Sequence, residues 1–336
     1  MSAQTPSCQL LDRPAFAEDP DFAGFYAVAP PDDPWVWHAA GGVISADERL
    51  LSRSRAAGRP AVPPLGVQEE AVPAAVLFWP KALKLAGWWL DWLNRSLPDS
   101  TPLAVVGEHG GGVRRAATML AERGMAWEKR DSARRCSVFV SETQKSAAPA
   151  EEAAWQTFGI GEVTLASHPG VFGHGKVDEG TALLLDTLES ELGGASLSVL
   201  DVGCGDGIIS AWLARRGHDV TAVDVSHFAV EATRRTLAQN GLEGRVLASD
   251  VYAGLEEGER FDAIVSNPPF HQERNIDYGP AGRLIGQAAE RLNRGGQLVL
   301  VANAFLPYAG PLERALGKFE TLADNRRFKV YRARKA

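Results

Sequence analysis

The second half of the chain contains short apolar segments that alternate with helical or turn sequences. Five of them follow Ser196 and are rich in β-branched residues: LSVLDVG, DVTAVDVS, GRVLASDVY, FDAIVSNPP and GGQLVLVAN. Nearly continuous apolar strands that alternate with helices are typical of a parallel sheet covered on both faces. Two more segments, FETLADN and RRFKVYRAR, predict a hairpin whose last strand runs antiparallel to the rest. The pattern therefore predicts an α/β domain.

The first half has a similar but less regular organisation. AAVLFWP predicts a strand, and KALKLAGWWLDWLNRSL predicts a helix with apolar residues at helical spacing, namely Leu85, Trp88, Trp89 and Trp92. Those tryptophans could stack on nucleic-acid bases, but their spacing favours a role in the core. PLAVVGEHGGGVRRAATMLAERG has the same strand, glycine loop and helix order as LSVLDVGCGDGIISAWLARRG. This similarity predicts two related α/β domains in tandem.

A polar, Ala-rich stretch separates the two halves. Residues 141–155, SETQKSAAPAEEAAW, show no strand pattern and are interpreted as a linker. The predicted domains are therefore residues 1–150 and 151–336. The segment before residue 70 is too irregular to predict a topology.

Composition limits the classes of function. The chain has 336 residues, 45% of them apolar and 23% charged, which is ordinary for a globular protein of about two domains. A net charge of -7 argues against a protein that coats nucleic acid with its whole surface. No signal peptide or membrane-spanning segment is recognised, so a cytoplasmic protein, monomeric and away from the membrane, is expected. The three cysteines lie far apart, and no metal site is expected.

A glycine-rich turn follows the first strand of the second half. In LDVGCGDG, the glycines Gly203, Gly205 and Gly207 stand where a strand turns into a helix. Glycines permit a tight turn and let a ligand lie against the backbone, while the start of the helix offers free N–H groups. The spacing is not the G-x-G-x-x-G of dinucleotide-binding proteins, and no G-K-[ST] of a phosphate-binding loop is present.

Acidic residues follow the next two strands. Asp224 lies about 20 residues beyond the turn, where a carboxylate can accept hydrogen bonds from the hydroxyls of an adenosine ribose. Asp250 ends the third strand, within reach of an adenine amino group. Either residue alone could be a helix cap or a loop end. Their occurrence at successive strand ends predicts an adenosine-containing cofactor.

This arrangement resembles the class I methyltransferases that use S-adenosylmethionine. In that family, the turn lies beside the methionine part, the acid after the second strand holds the ribose, and the fourth strand ends at the reacting group. The resemblance implies two Rossmann-like domains of this class. It also implies cofactor contacts from Asp201, Gly203, Gly205, Asp224, Asp250 and Val251.

The fourth strand ends in SNPPFH. This motif resembles the Asn-Pro-Pro-aromatic motif of methyltransferases that act on planar nitrogens, whose lone pair is delocalised. The side-chain oxygen of Asn267 and the carbonyl of Pro268 can accept the two amino hydrogens and aim the nitrogen at the methyl group. Phe270 can stack on a base that has left its helix. His271 is interpreted as a contact to RNA rather than a general base.

Several motifs in order narrow the resemblance. HPGVFGHGKVDEGTALLLDTL, SNPPFH, VANAFLPY and RFKVYRA resemble the catalytic half of the bacterial ribosomal RNA guanine-N2 methyltransferases, particularly those that modify small-subunit RNA. FWPKALKLAGWWL, VVGEHGGGVRRA and DSARRC resemble the first half of that family, a methyltransferase-like domain without cofactor binding. The alternatives are a large-subunit RNA enzyme, a protein-glutamine N5 methyltransferase, and a non-catalytic RNA-binding or ribosome assembly protein.

The sequence of the first half supports a role as scaffold and RNA-recognition domain. Its LFWPK strand end offers Trp79, Pro80 and Lys81 in place of Asn-Pro-Pro. From Arg114 to Lys145, eight Lys or Arg residues against four Asp or Glu residues give +4. Such a segment can contact phosphates or form a solvated face. Ribosomal RNA or the small ribosomal subunit is the expected partner.

Overall fold

The computed structural model describes residues 2–66, 71–145, 149–173, 176–192, 194–268 and 279–336. It divides into two compact units, Met1–Trp155 and Gln156–Ala336. The predicted boundary after residue 150 lies shortly before this division. The predicted linker begins too early, because Ser141 and Glu142 still pair in a strand.

The first unit contains one seven-stranded sheet. Its strands are β1 Tyr26–Val28, β2 Gly42–Ile44, β3 Ala61–Val62, β4 Ala75–Phe78, β5 Pro102–Glu108, β6 Trp127–Ala133 and β7 Cys136–Glu142, in the order β3-β2-β1-β4-β5-β7-β6. Strands β1 to β5 pair in parallel, whereas β7 runs antiparallel to β5 and to β6. The helices are α1 Pro6–Leu11, α2 Pro14–Ala17, α3 Val36–Ala39, α4 Glu48–Ala56, α5 Leu83–Ser96 and α6 Ala116–Ala121.

The second unit repeats this topology. A hairpin of β8 Gln156–Ile160 and β9 Val163–Ser167 precedes a seven-stranded sheet of β10 Ser198–Val202, β11 Asp219–Asp224, β12 Arg245–Ala248, β13 Phe261–Ser266, β14 Leu292–Asn303, β15 Phe319–Asp324 and β16 Phe328–Arg334. The order is β12-β11-β10-β13-β14-β16-β15; β16 runs antiparallel to both β14 and β15, and the remaining pairs are parallel. The helices are α7 Glu179–Glu191, α8 Ile208–Arg215, α9 His227–Gln239, α10 Gly279–Arg291 and α11 Ala309–Leu316. The predicted tandem α/β fold with an antiparallel last strand is confirmed.

Comparing the two strand orders corrects one prediction. Because β1 occupies the place of β10 and β5 that of β14, the segment PLAVVGEHGGG is not the counterpart of LSVLDVGCGDG. The counterpart of the glycine turn instead follows β1, in the part of the chain where no topology was predicted. Strands β1, β2 and β3 have three, three and two residues, too few to show a strand pattern.

The prediction that LFWPK stands in the first unit where SNPPF stands in the second agrees with the topology, since β4 occupies the place of β13.

Alternate side chains of the central strands pack into separate cores. Leu200 and Ile264 belong to a cluster with α10 and α11, whereas Val199 and Val265 belong to one with α7 and α8. This double burial explains the near-continuous apolar sequence of the strands. In the first unit, Trp88, Trp89 and Trp92 are buried, which confirms their interpretation as core residues.

Within the described ranges, no helix is long and apolar enough to cross a bilayer.

Candidate active site

The glycine turn connects β10 to α8. Gly203, Gly205 and Gly207 have φ angles of +79°, +58° and +85°, a region that glycine enters without steric cost. A Cβ atom at Gly205 would meet nothing within 4 Å, and one at Gly203 would approach only the backbone oxygen of Asn267, at 3.9 Å. Bare backbone therefore faces open space beside Asn267, which fits a bound ligand.

Helix α9 supports the turn from below. Gly207 packs so closely against it that a Cβ would lie 2.9 Å from the Cα of Thr233. The hydroxyl of Thr233 donates to the Gly205 carbonyl at 3.2 Å, and that of Thr236 donates to the Asp206 carbonyl at 2.7 Å. The first two glycines thus leave room for a ligand, whereas the third permits close packing.

Asp224 is the last residue of β11 and lies beside the turn. One carboxylate oxygen accepts the backbone N–H of Gly205 at 3.1 Å, and the other accepts that of Ser226 at 2.8 Å. These bonds fix the carboxylate at the carboxyl end of the sheet, where open α/β folds bind ligands. A carboxylate oxygen can accept more than one hydrogen bond, so ribose hydroxyls can be added here.

Asp201 lies beneath the turn and is fully buried. Its Oδ2 accepts the Ser210 hydroxyl at 2.6 Å, whereas Oδ1 has no partner among the described residues. Burial raises the pKa of Asp201 to about 7; the Ser210 hydrogen bond lowers it, and the charges of Asp224 and Asp206 add to the increase. Asp201 therefore braces α8 from inside the fold.

The third acidic residue lies just beyond its strand rather than at its end. β12 ends at Ala248, and Asp250 follows in the next turn, where its Oδ1 accepts Nη2 of Arg283 at 2.6 Å. Val251 has a φ of +55° and is buried. This conformation is strained for a β-branched residue, and such strain is concentrated at ligand sites.

Asn267 directly follows β13, and its side-chain amide is oriented by helix α7. Nδ2 donates to Oδ2 of Asp178 at 3.1 Å and to Oγ1 of Thr181 at 2.8 Å. A carboxylate can only accept, so the nitrogen of the amide must face Asp178. Oδ1 is buried and has no partner among the described residues. The arrangement leaves one amide acceptor for which the described residues supply no donor.

Pro268 is buried next to Asn267. The site predictions for Phe270 and His271 lie outside the described residues.

Sequence reasoning missed the residues that hold the site residues in place. Asp178 caps α7 by accepting the backbone N–H groups of Gly180 and Thr181 and also holds Asn267. Its position before an apolar helix indicates a cap, but the distant bond to Asn267 has no sequence signal. Arg283, which binds Asp250 from α10, was missed for the same reason.

The groups around the glycine turn fit an adenosine-containing ligand. Open backbone at Gly203 and Gly205 adjoins the ribose-type acceptor Asp224, and Asp250 offers an acceptor for a base amino group. Within the described ranges, no group of three or more His, Cys, Asp or Glu side chains could hold a metal ion.

Comparisons with known proteins agree with this geometry. Residues 162–332 match the family model described as Methyltransferase small domain, and residues 62–158 match Methyltransferase small domain N-terminal. A protein of Chromohalobacter salexigens named Ribosomal RNA small subunit methyltransferase C is 53% identical over 335 residues, covering 99% of this chain and 98% of the relative. The chain belongs to the ribosomal RNA small subunit methyltransferase C family. It is therefore an enzyme of the methyltransferase class.

Other members of the small subunit methyltransferase C family extend the agreement. The Pseudomonas aeruginosa protein of that name is 44% identical over 310 residues, covering 90% of this chain and 89% of its own length. A solved structure is described as T. thermophilus 16S rRNA methyltransferase (RsmC) in complex with AdoMet and guanosine. It has a TM-score of 0.85 and 28% identity, and covers 100% of this chain and 94% of the other.

Proposed function

We propose that this protein uses S-adenosylmethionine to methylate the exocyclic N2 of a guanosine in 16S small-subunit ribosomal RNA. Family membership supports the reaction and the RNA class, and the relative solved with AdoMet and guanosine supports both ligands. Ribosomal RNA is the partner. The orientation of the Asn267 amide carries the assignment to an amino nitrogen.

Asn267 offers an acceptor where an amino hydrogen is needed. Its Nδ2 is held by Asp178 and Thr181, so Oδ1 is the end of the amide that has no partner in the described part of the chain. A buried acceptor without a partner is unfavourable, by about 1–3 kcal/mol. The amino group of guanine relieves that cost by donating to Oδ1, and the backbone carbonyl of Pro268 accepts the second amino hydrogen.

The cofactor supplies an electrophilic methyl group on a sulfonium. Asn267 and Pro268 hold both amino hydrogens in fixed directions, so that the nitrogen lone pair points toward the glycine turn. The acceptors also stabilise the positive charge that grows on the nitrogen as the N–C bond forms and the S–C bond breaks. An amino proton then leaves to solvent, because the Asn267 amide is not a base.

Cofactor binding is assigned to the residues around the turn. Gly203 and Gly205 provide bare backbone, Asp224 accepts the ribose hydroxyls, and Asp250 accepts the adenine amino group. The strained backbone of Val251 holds the adenine side of the pocket. Asp201 acts indirectly by bracing α8 below the turn. Stacking of the target base on Phe270 stays a prediction.

The first unit is proposed as a scaffold without a cofactor site. At the position of the glycine turn, β1 is followed by residues 29–33, and Asp33 is 1% exposed. It accepts four hydrogen bonds, from the backbone N–H groups of Gln4, Thr5 and Trp35 and the Thr5 hydroxyl. The acidic side chain that follows β1 is therefore occupied by hydrogen bonds, three of them from the N-terminal residues Gln4 and Thr5.

RNA recognition by the first unit is proposed for part of the basic segment. Arg123 pairs with Asp91, and Arg130 with Asp19, so these cations serve the fold. Arg134 and Arg135 are exposed at the tip of the β6–β7 hairpin and have no side-chain partner among the described residues. Both have positive φ, at +51° and +59°, in a turn where Asn-Gly is usual.

The hairpin tip can be tested by charge reversal. Arg134→Glu with Arg135→Glu should weaken binding to small-subunit RNA and reduce the salt dependence of binding by up to two phosphate contacts. The control is Arg294→Glu with Lys318→Glu, an equal change of charge at two exposed residues of the second unit. An equal loss in both variants would leave only a general charge effect and refute RNA contact by the tip.

Deletion of the gene tests the proposed reaction. One N2-methylguanosine should disappear from small-subunit RNA and return with the wild-type gene but not with Asn267→Ala. Loss of a large-subunit modification, or of methylation on a release factor, would replace the proposed substrate. Unchanged modification of all these molecules would favour a non-catalytic role. Cytoplasmic localisation and a monomeric state are retained as predictions.

A further inference from the structure

The turn that follows β12 is attached to α10 by two neighbouring side-chain contacts. Arg283 donates through Nη2 to Oδ1 of Asp250 at 2.6 Å, and the Tyr252 hydroxyl donates to the carbonyl of Leu284 at 2.8 Å. Residues that are adjacent on the helix thus hold alternate residues of the turn. The position of the Asp250 carboxylate is therefore determined from α10 as well as from the strand.

The turn is also braced internally. The Ser249 hydroxyl donates to the Val251 carbonyl at 2.9 Å and accepts the backbone N–H of Gly254 at 2.8 Å. These bonds stabilise the backbone around Val251, whose φ of +55° is unfavourable. Because the backbone of the turn is rigid, rotation of the Asp250 side chain is the main motion left at this position.

The ion pair leaves one carboxylate oxygen available. Oδ1 of Asp250 is bound to Arg283, whereas Oδ2 has no partner among the described residues, and the side chain is 27% exposed. A guanidinium that holds one oxygen restricts rotation of the carboxylate. The second oxygen is then a fixed, negatively charged acceptor.

We propose that Arg283 is a positioning residue that aims Oδ2 of Asp250 at the adenine amino group and so determines selectivity for adenine. The inference rests on the proposed function, because it takes Asp250 as the adenine contact. Arg283 does not touch the base; it acts by holding the carboxylate. Without the guanidinium, the carboxylate can rotate toward solvent, and its hydrogen bond to the amino group weakens.

Base selectivity is the measurement that separates positioning from general stabilisation. The probes are S-adenosylhomocysteine and S-inosylhomocysteine, in which an oxo group replaces the amino group of the base. Calorimetry on the full chain should show that the wild type prefers the adenine ligand. Arg283→Gln should reduce that preference about tenfold, corresponding to about 1.4 kcal/mol, mainly by weakening the adenine ligand. Arg283→Lys should restore part of the preference, since lysine supplies a positive charge but lacks the planar guanidinium.

Two further variants complete the design. Tyr252→Phe removes the adjacent link to α10 but leaves the Asp250–Arg283 pair, so selectivity should not change. Asp250→Asn should abolish or reverse the preference, because an amide can donate to the oxo group.

The outcomes separate this inference from the proposed function. If Asp250→Asn loses selectivity but Arg283→Gln keeps it, or if Arg283→Gln binds the adenine ligand more tightly, the Arg283 inference fails alone. Equal weakening of both ligands by Arg283→Gln also refutes it. If the wild type binds neither ligand, the proposed function fails as well.

Discussion

The side-chain amide of Asn267 is arranged as its proposed role requires. Its Nδ2 is bonded to Asp178 and Thr181, whereas Oδ1 has no partner among the described residues. Asp224 is instead held beside the glycine turn, through Gly205. The two residues should therefore fail in different ways. Asp224→Ala should weaken S-adenosylhomocysteine binding by roughly 1–3 kcal/mol, while Asn267→Ala should leave that affinity nearly unchanged and abolish methyl transfer. Calorimetry and a turnover assay on both variants provide the test, and equal loss of cofactor affinity would refute the separation of roles.

Thr181 tests whether orientation of the amide matters. Thr181→Val keeps the shape of the side chain but removes one of the two acceptors that hold Nδ2 of Asn267. A hydrogen bond of this kind contributes about 1 kcal/mol, so kcat should fall about fivefold to tenfold while cofactor affinity is retained. Unchanged kcat would mean that Asp178 alone sets the orientation. Thr187→Val, in the same helix, is the matched control, since its hydroxyl donates to the Leu183 carbonyl of that helix.

The buried carboxyl of Asp201 predicts a pH dependence of stability. Its pKa is about 7 in the folded state, against 3.8 for an ordinary Asp, so the folded state binds more protons between these values. Stability should therefore fall as pH rises from about 4 to about 7. Asp201→Asn removes this dependence. It should stabilise the protein at pH 8, by at most about 4 kcal/mol, with little difference at pH 4; denaturant unfolding at both pH values is the measurement.

At the scale of elements, the junction of α8 with α9 depends on Gly207. A Cβ there would lie 2.9 Å from the Thr233 backbone, and φ is +85°. Gly207→Ala should therefore destabilise the second unit by at least about 2 kcal/mol. Gly286→Ala is the control, since Gly286 lies inside α10 with no neighbour within 4 Å of its Cβ position. That change should stabilise by about 0.5–1 kcal/mol. Thermal unfolding of both variants distinguishes the two glycines, and equal effects would contradict the packing argument.

The elements also show what the sequence could predict. β10, β11 and β13 each bury both faces, so the sequence alone showed their apolar runs and the residues that follow them. In the structure, the glycine turn bonds Asp224 through Gly205 and lies beside Asn267 at Gly203. β1 to β3 are very short, and their register depends on partners distant in sequence. The contacts of Asp178 with Asn267, and of Arg283 with Asp250, join residues 89 and 33 positions apart. Such contacts arise only from the packed fold.

At the scale of the whole molecule, the two units share a topology but differ where a cofactor would bind. The second unit has open glycine backbone after its first sheet strand, β10, whereas the first has Asp33 saturated by four donors. Calorimetry on the full chain should therefore give one S-adenosylhomocysteine per chain, and Asp224→Ala should weaken that single event. A second binding event that persists in Asp224→Ala would mean that the first unit binds cofactor.

The four hydrogen bonds that Asp33 accepts also predict that its removal destabilises the fold. Burial raises the pKa of Asp33, but the hydrogen bonds from Thr5, Trp35 and Gln4 outweigh burial and lower it overall. Its contribution to stability is thus present at neutral pH and lost as pH falls through the lowered pKa. Asp33→Ala should destabilise the protein by about 2–4 kcal/mol at pH 7, measured by denaturant unfolding. The difference from wild type should shrink on acidification, and a constant difference would contradict the account.

Methyl transfer by the purified protein tests the central claim most directly. Tritiated S-adenosylmethionine is supplied with small subunits, or with naked ribosomal RNA, from a strain that lacks the gene, and labelled nucleosides are identified by mass spectrometry. We predict one labelled N2-methylguanosine in small-subunit RNA, absent with Asn267→Ala. Label recovered as N6-methyladenosine, in large-subunit RNA, or only in a release factor would contradict the proposed substrate.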